Sequence, residues 1–314
     1  MQAIVVKEAG GPSKLTYEER PLPVVKAGWS LIKFKAFGLN HAESITRAGG
    51  SPAVKFPRVI GIEAVGVIAD STSEALPVAM KVMTLMGEMG RQFDGSYAEY
   101  GLIPNEQIYP LEIDLPWTQL ATIPESGYTA YGSIKLSKIK AGQHVLIRGG
   151  TSSVGLAALK ILKALHVRVA SSTRRFEKLA FLQAEGADEA ILDQDGLLQT
   201  SDHYDAIIDF VGSKSLVDSL GHLKSLGGYI TVTGELADEW SMKDFSAFMI
   251  PMGSYLTNFQ STLVNRTWLE ELVKLIADND LHFPIGAVFP FTEIVAAHEL
   301  LDSGQANGKI IVEI

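Results

Sequence analysis

From His144 to Leu165 the chain reads HVLIRGGTSSVGLAALKILKAL. An apolar strand pattern ends on adjacent glycines, and the residues beyond place Val154, Ala158, Ile161 and Leu165 on one helical face. A strand that turns through glycine directly into an amphipathic helix is the opening of a βαβ unit, which constrains everything around it. The rhythm continues with the apolar runs VRVASST, AILD, DAIIDFVG and GGYITVTGEL, separated by the helical patterns FEKLAFLQAEG and SLVDSLGHLKS. Strands apolar along their whole length, alternating with helices, predict a parallel sheet covered on both faces.

The residues before about Leu115 follow another rule. AIVVKEA, SLIKFKAFGL, RVIGIEAVGVIA, MKVMTLMG and GSYAEYGLI are short β-type runs punctuated by Gly and Pro, which predicts a compact, mainly antiparallel unit. HAESITRAGG interrupts them with a short helix. After Phe259, two helical stretches and the closing strand GKIIVEI read as a tail returning to the first unit. No internal repeat is visible.

The glycine turn does not spell G-x-G-x-x-G. Gly149 suits the sharp turn, and Gly155 removes a Cβ where helix would press on sheet. Thr151, Ser152, Ser153 and Val154 open the helix, where free N–H groups and the helix dipole favour an anionic phosphate. The alternative is a plain βα turn with a serine N-cap. About 20 residues on, where many NAD-binding domains carry an acid, stand Ser172, Thr173, Arg174 and Lys178. Hydroxyls and cations there suit a 2′-phosphate, so NADPH is expected in preference to NADH, against the alternative of a solvated basic helix start.

Composition removes other chemistries. The 314 residues contain no cysteine, which excludes disulfides, thiol catalysis and thiolate metal ligands. A net charge of −9 without basic blocks argues against nucleic acid as a partner. No apolar run spans a bilayer and the N-terminus lacks a secretory core, so a cytoplasmic protein without a membrane partner is expected. There is no G-x-S-x-G elbow, and a catalytic triad finds no support.

Taken in order, GLNHAESITRAGG, FPRVIGIEAVGVI, GSYAEY, ATIPESGYTAYGSI, the glycine turn, DAIIDFVG, LGGYITVTG and AAHELLDSGQANGKIIVEI resemble the medium-chain dehydrogenase/reductase superfamily, in its zinc-independent quinone oxidoreductase (zeta-crystallin-like) branch. The resemblance implies an α/β protein. A GroES-like β-rich catalytic domain would occupy residues 1–114, completed by 263–314, and a Rossmann doubly wound domain binding NADP(H) would occupy 115–262. It maps the branch's phosphate turn onto Gly149, Ser152 and Gly155, with Ser152 replacing the usual middle glycine. Thr129 and Gly234 would lie beside the nicotinamide. Zinc alcohol dehydrogenases of the wider superfamily carry Cys where this chain has Asn40, and His-Glu where it has Ile62-Glu63. His41, Glu43 and Glu63 do not reproduce a known ligand set, so no metal is expected.

Without a Lewis acid, an electrophile that readily accepts hydride is the expected substrate: a quinone or an activated α,β-unsaturated carbonyl. Asn40 is the candidate for a contact to the substrate carbonyl, unless it only fixes the turn before the helix. His41 is the candidate for proton delivery, with solvent as the alternative. Arg47 could polarise the acceptor or form a structural ion pair; Tyr128 could line the site or belong to the core. The competing readings are a non-enzymatic NADPH-binding sensor or scaffold and an enoyl-thioester reductase. By the same resemblance a homodimer is expected, paired through the last strand of the nucleotide domain near Gly253 to Phe259.

Overall fold

The N-terminal β runs become strands β1 (Gln2–Val6), β2 (Leu15–Glu19), β3 (Trp29–Gly38), β4 (Glu63–Ser71), β5 (Lys81–Leu85), β6 (Tyr100–Pro104) and β7 (Ile108–Pro110). Helix α1 (His41–Arg47) follows β3, and α2 (Trp117–Leu120) follows β7. The computed structural model describes residues 1–234 and 241–314. They divide into two units: 1–125, 262–273 and 285–314 in the first, 126–261 and 274–284 in the second.

The second unit carries α3 (Tyr128–Leu136), β8 (His144–Arg148), α4 (Ser153–Ala164), β9 (Arg168–Thr173), α5 (Leu179–Ala184), β10 (Glu189–Gln194), β11 (Leu197–Leu198), β12 (Ala206–Asp209), α6 (Leu216–Gly221), β13 (Tyr229–Val232) and β14 (Tyr255–Asn258). The chain then runs through α7 (Arg266–Asn279), β15 (Ile285–Pro290), α8 (Ile294–Ser303) and β16 (Lys309–Glu313).

In the second unit the sheet order is β11-β10-β9-β8-β12-β13-β14. All neighbours are parallel except the short β11, which pairs antiparallel with β10. Leaving β11 aside, the order is that of a Rossmann sheet, in which the winding reverses between β8 and β12. Ligands of such sheets bind beyond the carboxyl ends of the strands, which is where the glycine turn stands. The strands are buried on both faces because helices cover both, and Leu146, Ala170, Ile207 and Ile230 form the centre of the core.

The first unit is built on the order β15-β16-β3-β4-β5-β7, with β6 also paired to β3. Its pairings are antiparallel apart from β15 with β16. The returning tail therefore enters the sheet: β16 lies against β3 with Ile311 opposite Gly38. Ile4, Phe34, Phe37, Tyr97, Ile310 and Val312 fill the core, drawing on both ends of the chain. The run RVIGIEAVGVIA enters the strand only at Glu63, because the preceding backbone pairs elsewhere. Arg58 N donates to Val6 O, and the carbonyls of Val59 and Ile60 accept from Gly95 N and Tyr97 N. No helix among the described residues is long and apolar enough to cross a membrane.

Candidate active site

In the second unit, Arg148 ends β8 and the chain turns through Gly149, whose φ is +81°, a value that favours glycine. Gly150 N donates to Ser172 O at 2.9 Å, tying the turn to the end of β9. Gly155 is a packing glycine: a Cβ there would stand 2.5 Å from Gly149 O and 2.8 Å from Gly150 Cα. Ser152 is the N-cap of α4. Its hydroxyl accepts from Gly155 N at 3.0 Å and donates to Gly149 O at 2.8 Å, so it closes the turn on itself. The Ser153 hydroxyl accepts from Ser126 at 3.1 Å. Thr151 and Val154 are half-buried beside them.

The turn has features that fit a pyrophosphate. The opening amides of α4 have no intrahelical acceptor, and the Ser152 hydroxyl takes that of Gly155 only. Ser171, fully buried on β9, has a hydroxyl with no hydrogen-bond partner. A Cβ on Gly150 would overlap that hydroxyl, so the absence of a side chain leaves Ser171 facing the turn. A buried polar atom without a partner is costly unless something else meets it.

At the end of β9, Ser172 and Thr173 are buried rather than displayed. Ser172 Oγ receives a long contact from Gly149 N at 3.4 Å, and Thr173 Oγ1 accepts from Arg175 N at 3.2 Å. Arg174 is exposed and Lys178 half-buried. Burial, then the neighbouring charge of Arg175, pull the Lys178 ammonium below the usual lysine range. Glu177, next to Lys178, offsets part of that pull. Thr129 lies on α3 and is nearly buried, while Tyr128 is fully buried with its ring edge-on to Phe259, 5.7 Å between centroids. Tyr128 thus packs in the core. Gly234 is exposed with φ +80°.

In the first unit, Asn40 is the half-buried residue that opens α1, and its amide nitrogen donates to Glu43 Oε2 at 3.0 Å. Its side chain joins a buried cluster. Asn40 Nδ2 donates to Glu63 Oε1 at 2.9 Å and reaches Glu43 Oε1 at 3.4 Å, while Asn40 Oδ1 accepts from Lys309 Nζ at 2.5 Å. Lys309 Nζ also pairs with Glu63 Oε1 at 2.6 Å. Backbone amides complete the set: Ile62 N donates to Glu43 and Glu125 N to Glu63 Oε2. Burial, then the charge of Glu63, push the Glu43 carboxyl up to about 7, against the pull of Lys309 and the hydrogen bonds from Ile62 and Asn40. The Asn40 amide is therefore engaged on both sides by the chain itself.

Arg47 is 4% exposed and fully tied down. Nε donates to Gly10 O, Nη2 pairs with Asp302 at 2.6 Å, and Nη1 meets His298 Nδ1 at 2.6 Å. An arginine only donates, so His298 Nδ1 is the acceptor and its proton sits on Nε2, facing Tyr97 Oη at 2.8 Å. Burial, then the Arg47 charge, hold His298 down to about 3, which keeps it neutral. Arg47 is a structural ion pair rather than an acceptor-polarising group. His41 is the exposed first residue of α1.

Residue type and local pattern do not mark Lys309 or Arg148 as part of a site, whereas Ser171 opens the run of hydroxyls at the end of β9. Lys309 lies 269 positions from Asn40. Arg148, fully buried, ties the end of β8 to Asp193, Asp218 and Ser219. Among the described residues no group of three or more His, Asp or Glu side chains is arranged to hold a metal ion.

Comparison with known proteins places these features in a context. The description "Alcohol dehydrogenase GroES-like domain" matches residues 26–113, and "Zinc-binding dehydrogenase" matches residues 185–312. The quinone oxidoreductase of Pongo abelii is 29% identical, covering 99% of this chain and 97% of that one. The chloroplastic NADPH-dependent alkenal/one oxidoreductase of Arabidopsis thaliana is 26% identical, covering 99% of this chain and 79% of its own length. Among solved structures, the quinone oxidoreductase from Coxiella burnetii shares the fold with a TM-score of 0.85 at 27% identity, covering 100% of this chain and 99% of that one.

Proposed function

The chain belongs to the medium-chain dehydrogenase/reductase superfamily, whose quinone oxidoreductases it resembles from end to end, and from that premise we propose that it reduces quinones or activated α,β-unsaturated carbonyls with NADPH, without zinc. The observation that carries the cofactor half of this reading is the glycine turn, where a fully buried, unpartnered Ser171 hydroxyl faces a helix start. Bound NADPH supplies the hydride and the acceptor's own delocalisation stabilises the charge that arrives with it. The protein's part is to bind, orient and exclude water.

In this reading the turn from Gly149 to Gly155 holds the pyrophosphate through the amides that open α4. Arg174 and Lys178 meet the 2′-phosphate, whose charge would offset the burial and the Arg175 charge that burden the Lys178 ammonium. Thr129 and Gly234 take the nicotinamide side. Asn40 acts as part of its cluster, because its amide protons already serve Glu43 and Glu63. His41 or solvent delivers the proton that reduction consumes. The donor set around Asn40 does not fit zinc: it offers no thiolate and no histidine, and an ammonium already bonds to two of its oxygens.

The edge strand β14 offers unpaired backbone, and Tyr255, Phe248 and Met252 are exposed beside it, which supports a homodimer formed through that edge. Light scattering tests the dimer. For the reaction, a panel of quinones, enones, aldehydes and alcohols is offered with NADPH or NADH to chelator-treated protein. NADPH oxidation on quinones or enones is expected. Binding without turnover on the whole panel would favour the sensor reading instead.

A further inference from the structure

In the second unit, α3 meets β13 through four buried hydroxyls, those of Ser133 and Ser137 on the helix side and of Thr231 and Thr233 on the strand side. Ser133 Oγ stands 2.8 Å from Thr233 Oγ1, and one turn further along the chain Ser137 Oγ stands 2.7 Å from Thr231 Oγ1. The helix approaches the sheet closely here: a Cβ on Gly132 would stand 2.2 Å from the Phe259 ring.

Proton counting fixes the direction of both bonds. A serine hydroxyl has a single proton to give. That of Ser133 goes to Thr129 O at 2.7 Å, and that of Ser137 to Ser133 O at 2.9 Å. Each serine therefore accepts from its threonine. Alanine and valine would fill nearly the same volumes without burying polar groups, and a paired hydroxyl adds little net stability. What the bonds add over apolar packing is direction, so the two rungs fix the height and rotation of α3 on β13.

The first rung stands directly behind the residues read above as the nicotinamide side. Ser133 reaches back one turn to the carbonyl of Thr129, and Thr233 precedes Gly234. Thr233 is itself anchored, since its amide donates to Asp209 O at 2.8 Å at the carboxyl end of β12. One chain of bonds thus runs from β12 through Thr233 and Ser133 to the helix turn that bears Thr129. The second rung lies a turn away on the helix and two residues back on the strand.

We propose that Ser133 and Thr233 are positioning residues for the nicotinamide of NADPH, their bond setting Thr129 and Gly234 at a fixed spacing beside the ring. The proposal rests on the NADPH reading above and names what holds the nicotinamide end in place. Ser137 and Thr231 make the same bond without that role.

The full-length protein and the variants Ser133→Ala, Thr233→Val, Thr233→Ser and Ser137→Ala are titrated by calorimetry with two probes: NADPH, and 2′,5′-ADP, which has the adenosine phosphates but no nicotinamide. Ser133→Ala and Thr233→Val should weaken NADPH binding by about fivefold, the worth of one hydrogen bond, and leave 2′,5′-ADP within about twofold of wild type. Thr233→Ser keeps the hydroxyl and should bind NADPH as wild type does. Ser137→Ala should leave both probes near wild type. Ser133→Ala introduces a better helix former and carries the test by itself should Thr233→Val not fold. Equal losses for the two probes, equal losses at the two rungs, or unchanged NADPH affinity in Ser133→Ala would each overturn the positioning role while wild-type binding leaves the NADPH reading intact. A wild type that binds neither probe would remove the NADPH reading and the proposal with it.

Discussion

Replacing Arg148 by Met removes a hub on which the nucleotide-type unit depends. The guanidinium donates to Asp193 at 2.8 Å, to Asp218 at 2.7 Å, to Ser219 at 2.9 Å, and to the carbonyls of Ser215 and Gly196 at 3.0 and 2.7 Å. Loss falls unevenly. Asp193 is 4% exposed and its other oxygen already lacks a partner, so it would become a buried charge with none. Asp218 would keep the Leu198 amide at 3.2 Å. Breaking a buried ion pair by removing one partner costs about 3–5 kcal/mol, a large share of the roughly 5–15 kcal/mol that holds a domain folded. Hydrogen exchange of the β8, β10 and β12 amides reads this unit by itself. Adding Asp193→Asn to Arg148→Met should recover about 1–3 kcal/mol by removing the orphaned charge. A loss under about 1 kcal/mol for Arg148→Met, or no recovery in the double variant, would refute the reasoning.

The Gly155→Ala variant should fold, at a cost of about 1–3 kcal/mol from overpacking, and should bind NADPH markedly less tightly because α4 must retreat from Gly149; fluorescence titration checks it. Changing Arg174 and Lys178 together to Ala should erode the preference for NADPH over NADH by about tenfold or more while leaving NADH kinetics near wild type, as read from paired kcat/KM values. His298 titrates near 3 when folded and near 6.5 when unfolded, so the stability it confers is present above about pH 6.5 and is lost as pH falls toward 3, at about 1.4 kcal/mol per pH unit. Glu43, raised to about 7 from 4.5, runs the other way: its contribution is full below about pH 4.5 and is lost as pH rises through 7. His298→Asn, whose amide can accept from Arg47 and donate to Tyr97, should cancel the first slope and leave the second, which denaturant melts across pH 4–8 would reveal.

What was legible in the sequence was what local pattern encodes. The run HVLIRGGTSSVG shows its strand, turn and helix because each depends on residues within a few positions, and Gly155 packs where the pattern required. Ser152 shows the limit of such reading: its residue type suited both a phosphate contact and an N-cap, and only the turn's closure showed that its hydroxyl is already used. Asn40 and Arg47 were conspicuous by type, yet their roles depend on Lys309 and Asp302, which arrive with the last helix and strand. Arg148 reads as a strand-end charge until β10 and α6 fold over it with Asp193 and Asp218. Pairings between residues so far apart leave no periodicity to detect.

The most direct test of the central claim is the rate of NADPH oxidation with a simple quinone, measured on chelator-treated protein beside the same assay with NADH. The account predicts turnover that survives chelation and favours NADPH. Activity that requires added zinc, or that runs better on NADH, would contradict it.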